Sequence, residues 1–309
     1  MGMQRMSIQA TILATLFLII FVFSQSIRAA EARPEPVTWE QIDALPHIPA
    51  DHRIAYGSGE FQFAELRLPD GEGPFPVVVF VHGGCWLADF DLGMAANLSG
   101  ALAAAGIASW TPEYRRIGND GGGWPGTLED LAASIDHLRE IAEPHKLDLN
   151  RVVLMGHSAG GHLVLWYAAK KNLPASSRFY NANPIPLKGV VSLAGISDLV
   201  SYREEHDTQE CNTAVPGLLG GEPKELPERV GESNPSDLLP LGVPIRMVHG
   251  TVDVLVPLSQ STNFLKKALG AGDDATLTVI DNASHFDMIA PFSVAWTKIM
   301  QEIKALLAL

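Results

Sequence analysis

The stretch that most narrows the fold is residues 151–169, RVVLMGHSAGGHLVLWYAA. Its apolar start, VVLM, has the continuous hydrophobic character of a strand buried on both faces. The part beginning near Ala159 is apolar on nearly every side, so a helix there has to be central and buried. Between them, Gly156-His157-Ser158-Ala159-Gly160 leaves no room for a loop. The chain must turn straight from strand to helix, which needs small neighbours and pushes the serine oxygen out of the backbone. A G-x-S-x-G alone carries little weight, because Gly, Ser and Ala crowd many tight turns. With a strand before it and a helix after, it marks a nucleophile position.

The rest of the chain fits an α/β class with a mostly parallel central sheet flanked by helices. Residues 61–68 (FQFAELRL) alternate like an edge strand. Residues 77–81 (VVVFV), 107–111, 189–193, 245–249 and 277–280 supply further strands. Helical patterns cover residues 92–105, 128–142, 162–171, 258–269 and 294–307. One polar stretch, residues 201–240, is rich in Pro and Gly and too long for a plain connection. It is read as an inserted cap with short helices inside a single domain, residues 33–309.

Residues 1–32 read as a signal peptide or N-terminal anchor with the start of a linker. Arg5 precedes an uncharged, mostly apolar run, residues 8–23, and Ala29 or Ala32 can each end a signal-peptidase site. A retained membrane anchor is the alternative, since sixteen residues sit between the length of a signal core and that of a short span. Either way the expectation is an exported protein, periplasmic or secreted, touching membrane only through this segment.

Charge excludes one class of partner. Lys and Arg number 22 against 35 Asp and Glu, a formal charge of −13, so a phosphate backbone would be repelled and nucleic acid is not a partner. Hydrophobic residues at 47% supply a substantial core. Two cysteines cannot make a disulfide framework or a zinc finger, and no histidine pair has metal spacing backed by carboxylates. No metal and no cofactor are expected.

A serine hydroxyl needs a base. Of ten histidines, His285 lies just past the last strand, on a loop able to reach Ser158. The histidine needs an acid to fix its tautomer, and Asp253 follows the preceding strand. Asp198, after the strand at residues 189–193, is the runner-up acid; Asp287 reads as a salt-bridge partner or a local cap. His82, His157, His162 and His249 read as packing or loop-organising residues. The glycines of His82-Gly83-Gly84-Cys85-Trp86, following VVVFV, let backbone N–H groups turn toward a substrate oxygen. Gly83, Gly84, Cys85 and Ala159 are therefore the candidate oxyanion hole.

The order Ser158, Asp253, His285, together with HGGCW, EYRR (residues 113–116), GGGWPGT (residues 121–127) and GHSAGGHL (residues 156–163), resembles the α/β-hydrolase superfamily, esterase/lipase type with an HGG oxyanion motif. The closer pieces resemble bacterial feruloyl-esterase-like and kynurenine-formamidase-like hydrolases. The likeness covers nearly all of residues 55–309. It implies the α/β-hydrolase fold and cleavage of small to medium carboxylic esters through an acyl-enzyme. An arylformamidase is the alternative, and a non-catalytic binding protein of the same fold is a third. Trp86, Trp124 and Phe286 are pocket candidates. Arg115 and Arg116 either meet an acidic substrate or form a buried ion pair. Cys85 and Cys211 either join the cap to the oxyanion loop or stay as two free thiols.

Overall fold

The structure is a computed structural model that describes residues 35–205 and 210–309. The signal or anchor read at residues 1–32 lies outside them. Residues 36–309 form one compact unit around an eight-stranded sheet. Its strands are β1 (His52–Ala55), β2 (Phe63–Arg67), β3 (Phe75–Val81), β4 (Ala108–Pro112), β5 (Leu147–His157), β6 (Gly189–Leu193), β7 (Ile245–Gly250) and β8 (Ala275–Ile280). They lie in the order β1-β2-β4-β3-β5-β6-β7-β8, antiparallel at β1–β2 and β2–β4 and parallel from β4 to β8.

The mostly parallel sheet expected from the sequence is therefore present, with one correction. Residues 61–68 do not form the edge. The polar, largely exposed HRIA of β1 pairs outside them, and its burial gives no apolar alternation to read.

Helices α1 (Trp39–Asp43), α2 (Ala96–Ala104), α3 (Gly126–Asp136), α4 (Ala159–Ala169), α5 (Leu258–Gly270) and α6 (Val294–Leu307) cover the sheet. The pattern read as one helix over residues 128–142 is broken at His137, with a short turn of helix, Leu138–Ile141, beyond it. The pleat of β3 divides the core in two. Val77, Val79 and Val81 share one core cluster with Leu128, Leu131 and Ile135 of α3 and Leu163 of α4, while Val78 and Phe80 share the other with Leu98 and Leu102 of α2 and Ile299 and Ile303 of α6. Every residue of α4 is buried, as its uniformly apolar sequence requires. Among the described residues no helix is long and apolar enough to cross a membrane.

The stretch between β6 and β7 holds the short helices Leu199–Glu205, Glu210–Thr213, Val215–Leu219 and Pro227–Ser233. The last is pinned to α4 from below: His162 Nε2 donates to the Ser233 carbonyl at 2.9 Å and Trp166 Nε1 to the Glu232 carbonyl at 2.8 Å. Burial costs the charged form of His162 its hydration and lowers its pKa from 6.5 to about 4. The unfolded chain therefore takes up this proton first, and stability is lost as pH falls through that window, by up to about 3 kcal/mol. The drop in unfolding midpoint between pH 7 and pH 4.5 should be smaller in His162→Gln than in the native chain; equal drops would contradict this account.

Candidate active site

Ser158 stands where β5 gives way to α4, with φ 56° and ψ −120°. A non-glycine residue held there stores about 1–3 kcal/mol of strain. The surroundings hold it: Ser158 N–H donates to the Leu193 carbonyl at 3.0 Å, and its own carbonyl accepts from the N–H groups of His162 and Ile196 at 3.2 Å. The flanking glycines are steric necessities. A Cβ on Gly156 would sit 2.1 Å from the Gly160 oxygen, and one on Gly160 would sit 2.1 Å from the Val81 oxygen. Ala159 opens α4, so its N–H is one of the first-turn donors a helix cannot use internally.

His285 and Asp253 arrive from the loops after β8 and β7, and His285 Nδ1 lies 2.7 Å from Asp253 Oδ2. The other carboxylate oxygen accepts the N–H groups of Leu255 and Val256, each at 2.9 Å, which fixes the acid within its own loop. Burial opposes ionisation of Asp253, but the attraction of His285 and hydrogen bonds from His249 and His285 outweigh it and hold the carboxyl far below the usual range. Asp198 goes elsewhere, to Lys267 Nζ at 2.7 Å. Asp287 accepts from Ser284 N–H at 2.8 Å and Val37 N–H at 2.9 Å, a local cap.

Two further histidines surround this pair. His249 is the penultimate residue of β7, and its Nε2 faces Asp253 Oδ2 at 3.3 Å and the Val256 carbonyl at 2.9 Å. Both partners are acceptors, so that nitrogen carries the proton, and Nδ1 accepts from the Ser261 hydroxyl at 2.8 Å. His157 lies against the His285 ring, centroids 4.3 Å apart, and donates from Nε2 to the His285 carbonyl at 3.1 Å. Burial, reinforced by His285, keeps His157 neutral well below its ordinary pKa.

The loop after β3 has Gly84, Cys85 and Trp86 in succession at φ 98°, 53° and 60°. Gly83 lies so close that a Cβ there would come within 3.0 Å of Ser158 Cβ. Among the described residues no acceptor takes the N–H of Gly84 or Cys85. Behind the loop stands a buried polar cluster. Glu113 Oε1 meets His82 Nε2 and Arg116 Nη1, each at 3.1 Å, and Oε2 accepts Leu92 N–H at 3.1 Å. Tyr114 stacks on His82 at 4.5 Å and donates to its carbonyl at 2.9 Å. Arg115 turns away to the buried Asp130 at 2.7 Å. Both arginines of EYRR thus hold internal ion pairs. Cys85 is joined to Cys211 in the helix Glu210–Thr213, with their Cα atoms 4.7 Å apart.

Ser158, His157, His285, Gly84, Cys85, Cys211 and Phe286 open on one cavity of about 370 Å³, at the carboxyl edge of the sheet where α/β folds place their ligands. Trp86 and Trp124 are not in its walls. Trp86 has a left-handed backbone and is fully buried, its indole edge-on to His162 in the core. Trp124 packs edge-on against Phe179 at 4.9 Å under the short helices. Of the three aromatic pocket candidates only Phe286 is in place.

The BD-FAE family model matches residues 65–269, about two thirds of the chain. The chain belongs to the BD-FAE family. Among curated proteins, this BD-FAE chain is 27% identical over 250 residues to the probable isoprenylcysteine alpha-carbonyl methylesterase ICME of Oryza sativa subsp. japonica, covering 76% of its own length and 58% of that protein. It is 27% identical over 267 residues to Esterase LipQ of Mycobacterium tuberculosis, covering 80% of its own length and 61% of that protein. It thus spans less than two thirds of either relative. Among solved structures, Esterase B from Lactobacillus rhamnosis superposes with TM-score 0.70 at 21% identity, over 97% of each chain. A truncated carbohydrate esterase from gut microbiota superposes with TM-score 0.71 at 22% identity, over 84% of this chain and 99% of that one. These two show that the BD-FAE chain has their α/β-hydrolase fold.

The sequence did not mark Trp39, Phe90, Met94, Val254 or Leu255 as neighbours of Ser158, yet all line its cavity. They come from three separate segments with no shared motif. The Cys85–Cys211 bond closes a separation of 126 residues, and a loop of that length corresponds to about 4–5 kcal/mol of stabilisation in the chain-entropy account. The double variant Cys85→Ser/Cys211→Ser should unfold at lower temperature than the native BD-FAE chain. Unreduced native protein, once unfolded, should show no free thiols; two reactive thiols would contradict the bridge.

Proposed function

We propose that this chain is a serine hydrolase that cleaves small to medium carboxylic esters. The observation that carries the reading is the 2.7 Å His285–Asp253 hydrogen bond opening on the same cavity as Ser158 at its strand-to-helix turn. In this mechanism His285 Nε2 takes the Ser158 proton as Oγ attacks the ester carbonyl. Asp253, fixed in its ionised form, holds the Nδ1–H tautomer and stabilises the imidazolium. The N–H groups of Gly84, Cys85 and Ala159 receive the charge of the tetrahedral intermediate, and the positive end of α4 points the same way. Gly83, the remaining oxyanion-hole candidate, gives the loop its close approach to Ser158. His285 returns the proton to the leaving alcohol. A water activated by the same histidine then frees the acid. The names of the curated relatives, each an esterase, favour an ester over a formamide.

Export belongs to the same proposal. The N-terminal segment has signal character, as a peptide to be removed or as an anchor, and the Cys85–Cys211 bridge suits an oxidising compartment. N-terminal sequencing of protein recovered from outside the cytoplasm should find a start just past Ala29 or Ala32. An intact N-terminus in the membrane fraction would identify an anchor, and protein confined to the cytoplasm would refute export.

On aryl esters of rising acyl length, Ser158→Ala should lower kcat by about 10⁴- to 10⁶-fold. A fluorophosphonate should label the native chain and not the variant. Near-native turnover by Ser158→Ala would overturn the mechanism. Turnover of an N-formyl arylamine far above any ester would replace the ester reading with the formamide one.

A further inference from the structure

The cavity at Ser158 has a neighbour. A second cavity of about 310 Å³ is lined by Asp43, His47, Asp89, Asp91 and Asn97, and three side chains, Trp39, Phe90 and Met94, stand in the walls of both. These three separate a pocket whose other walls are largely apolar or catalytic from one edged with carboxylates.

Trp39 is held both by its ring contacts and by the segment that carries it. Its ring meets Phe90 edge-on at 5.9 Å and Phe286 at 5.6 Å. The short helix α1 that carries it is preceded by Val37, whose N–H donates to Asp287 Oδ2 at 2.9 Å and whose carbonyl accepts from the Ser284 hydroxyl. Ser284 and Asp287 flank His285, so the segment preceding the sheet is bolted to the loop that presents the base. The indole is thereby held at a set position relative to the reacting atoms, and a group that stops substrate at a fixed distance needs such a support.

We propose that Trp39 is the specificity-determining residue of this enzyme: it ends the pocket beside Ser158 and so limits the length of ester the chain accepts. The assignment rests on the ester-hydrolase reading. Phe90 and Met94 complete the partition, and removing the indole joins the two cavities into one elongated cleft. The small pocket then becomes a deep one with a polar far end. Substrates too long to fit beside Trp39 gain most, because each excluded methylene group is worth a large factor in selectivity.

The test measures kcat/KM on two homologous series, aryl esters of rising acyl length and butyrate esters of rising alcohol length, for native chain, Trp39→Ala, Trp39→Phe and Met94→Ala. The expected result is a ratio of eight-carbon to four-carbon turnover that rises about tenfold or more in Trp39→Ala in one of the series. Trp39→Phe should stay closer to native, and Met94→Ala, which opens the partition from its other side, should move the same ratio the same way. Met94→Ala also keeps the test decisive should Trp39→Ala fail to fold. Unchanged ratios in both series, in variants that take the fluorophosphonate label as fast as the native chain, would overturn the proposal alone. A native chain that neither labels nor hydrolyses any ester would sink the ester-hydrolase reading and this assignment with it.

Discussion

Everything at this site depends on how closely α4 presses onto the sheet. Gly160 brings its backbone against the carbonyls of Val81 and His82, and Gly161 against Gly195, at distances where any Cβ would collide. That contact brings the end of β3 and the end of β6 to the first turn of α4. One consequence is that the loop after β3 lies beside Ser158 without a hinge or spacer. Another is that Ser158 is trapped in a left-handed conformation, since its N–H and its carbonyl are both committed to neighbouring segments. Strain in the elbow is sustained by packing around it, the usual reason such conformations persist at working sites.

The second level of support is electrostatic and lies behind the loop. Glu113 collects a ring nitrogen of His82, a guanidinium nitrogen of Arg116 and two backbone N–H groups, those of Tyr114 and Leu92. Burial opposes the charge on Glu113, and the attraction of His82 and Arg116 overcomes it, so its carboxyl stays below the usual range. A buried carboxylate with this many donors is costly to disturb, because losing one partner leaves a charge without compensation. It ties His82, at the start of the loop, to Leu92 beyond it, on either side of the three left-handed residues 84–86.

Much of this was legible in the sequence, for a physical reason. Strands buried on both faces must be continuously apolar, a helix buried on every side must be apolar throughout, and a turn between them must be made of small residues. Residues 151–169 satisfy all three at once, and the loops after β7 and β8 follow in chain order. What escaped the sequence is what tertiary packing decides. The strand HRIA lies exposed at the edge and shows no apolar alternation. Trp86, a pocket candidate, lies in the core instead, and nothing in HGGCW forecasts it. The segment around Trp39 borders a proline-rich linker, and its place at the cavity follows from bonds to Ser284 and Asp287, nearly 250 residues away.

The buried acid shows how such a site resolves a conflict. Asp253 is removed from water, which by itself would favour the neutral carboxyl and weaken its hold on His285. The protein answers with two backbone N–H groups on one oxygen and two histidines on the other. The two histidines are not equivalent. His249 is enclosed, its tautomer set by Ser261 and Val256, and it has no proton to exchange with substrate. His285 has one nitrogen bound to the acid and opens on the cavity that holds Ser158. The same carboxylate therefore meets an enclosed ring and one that borders the cavity. In the proposed mechanism proton transfer falls to His285, because both nitrogens of His249 are engaged.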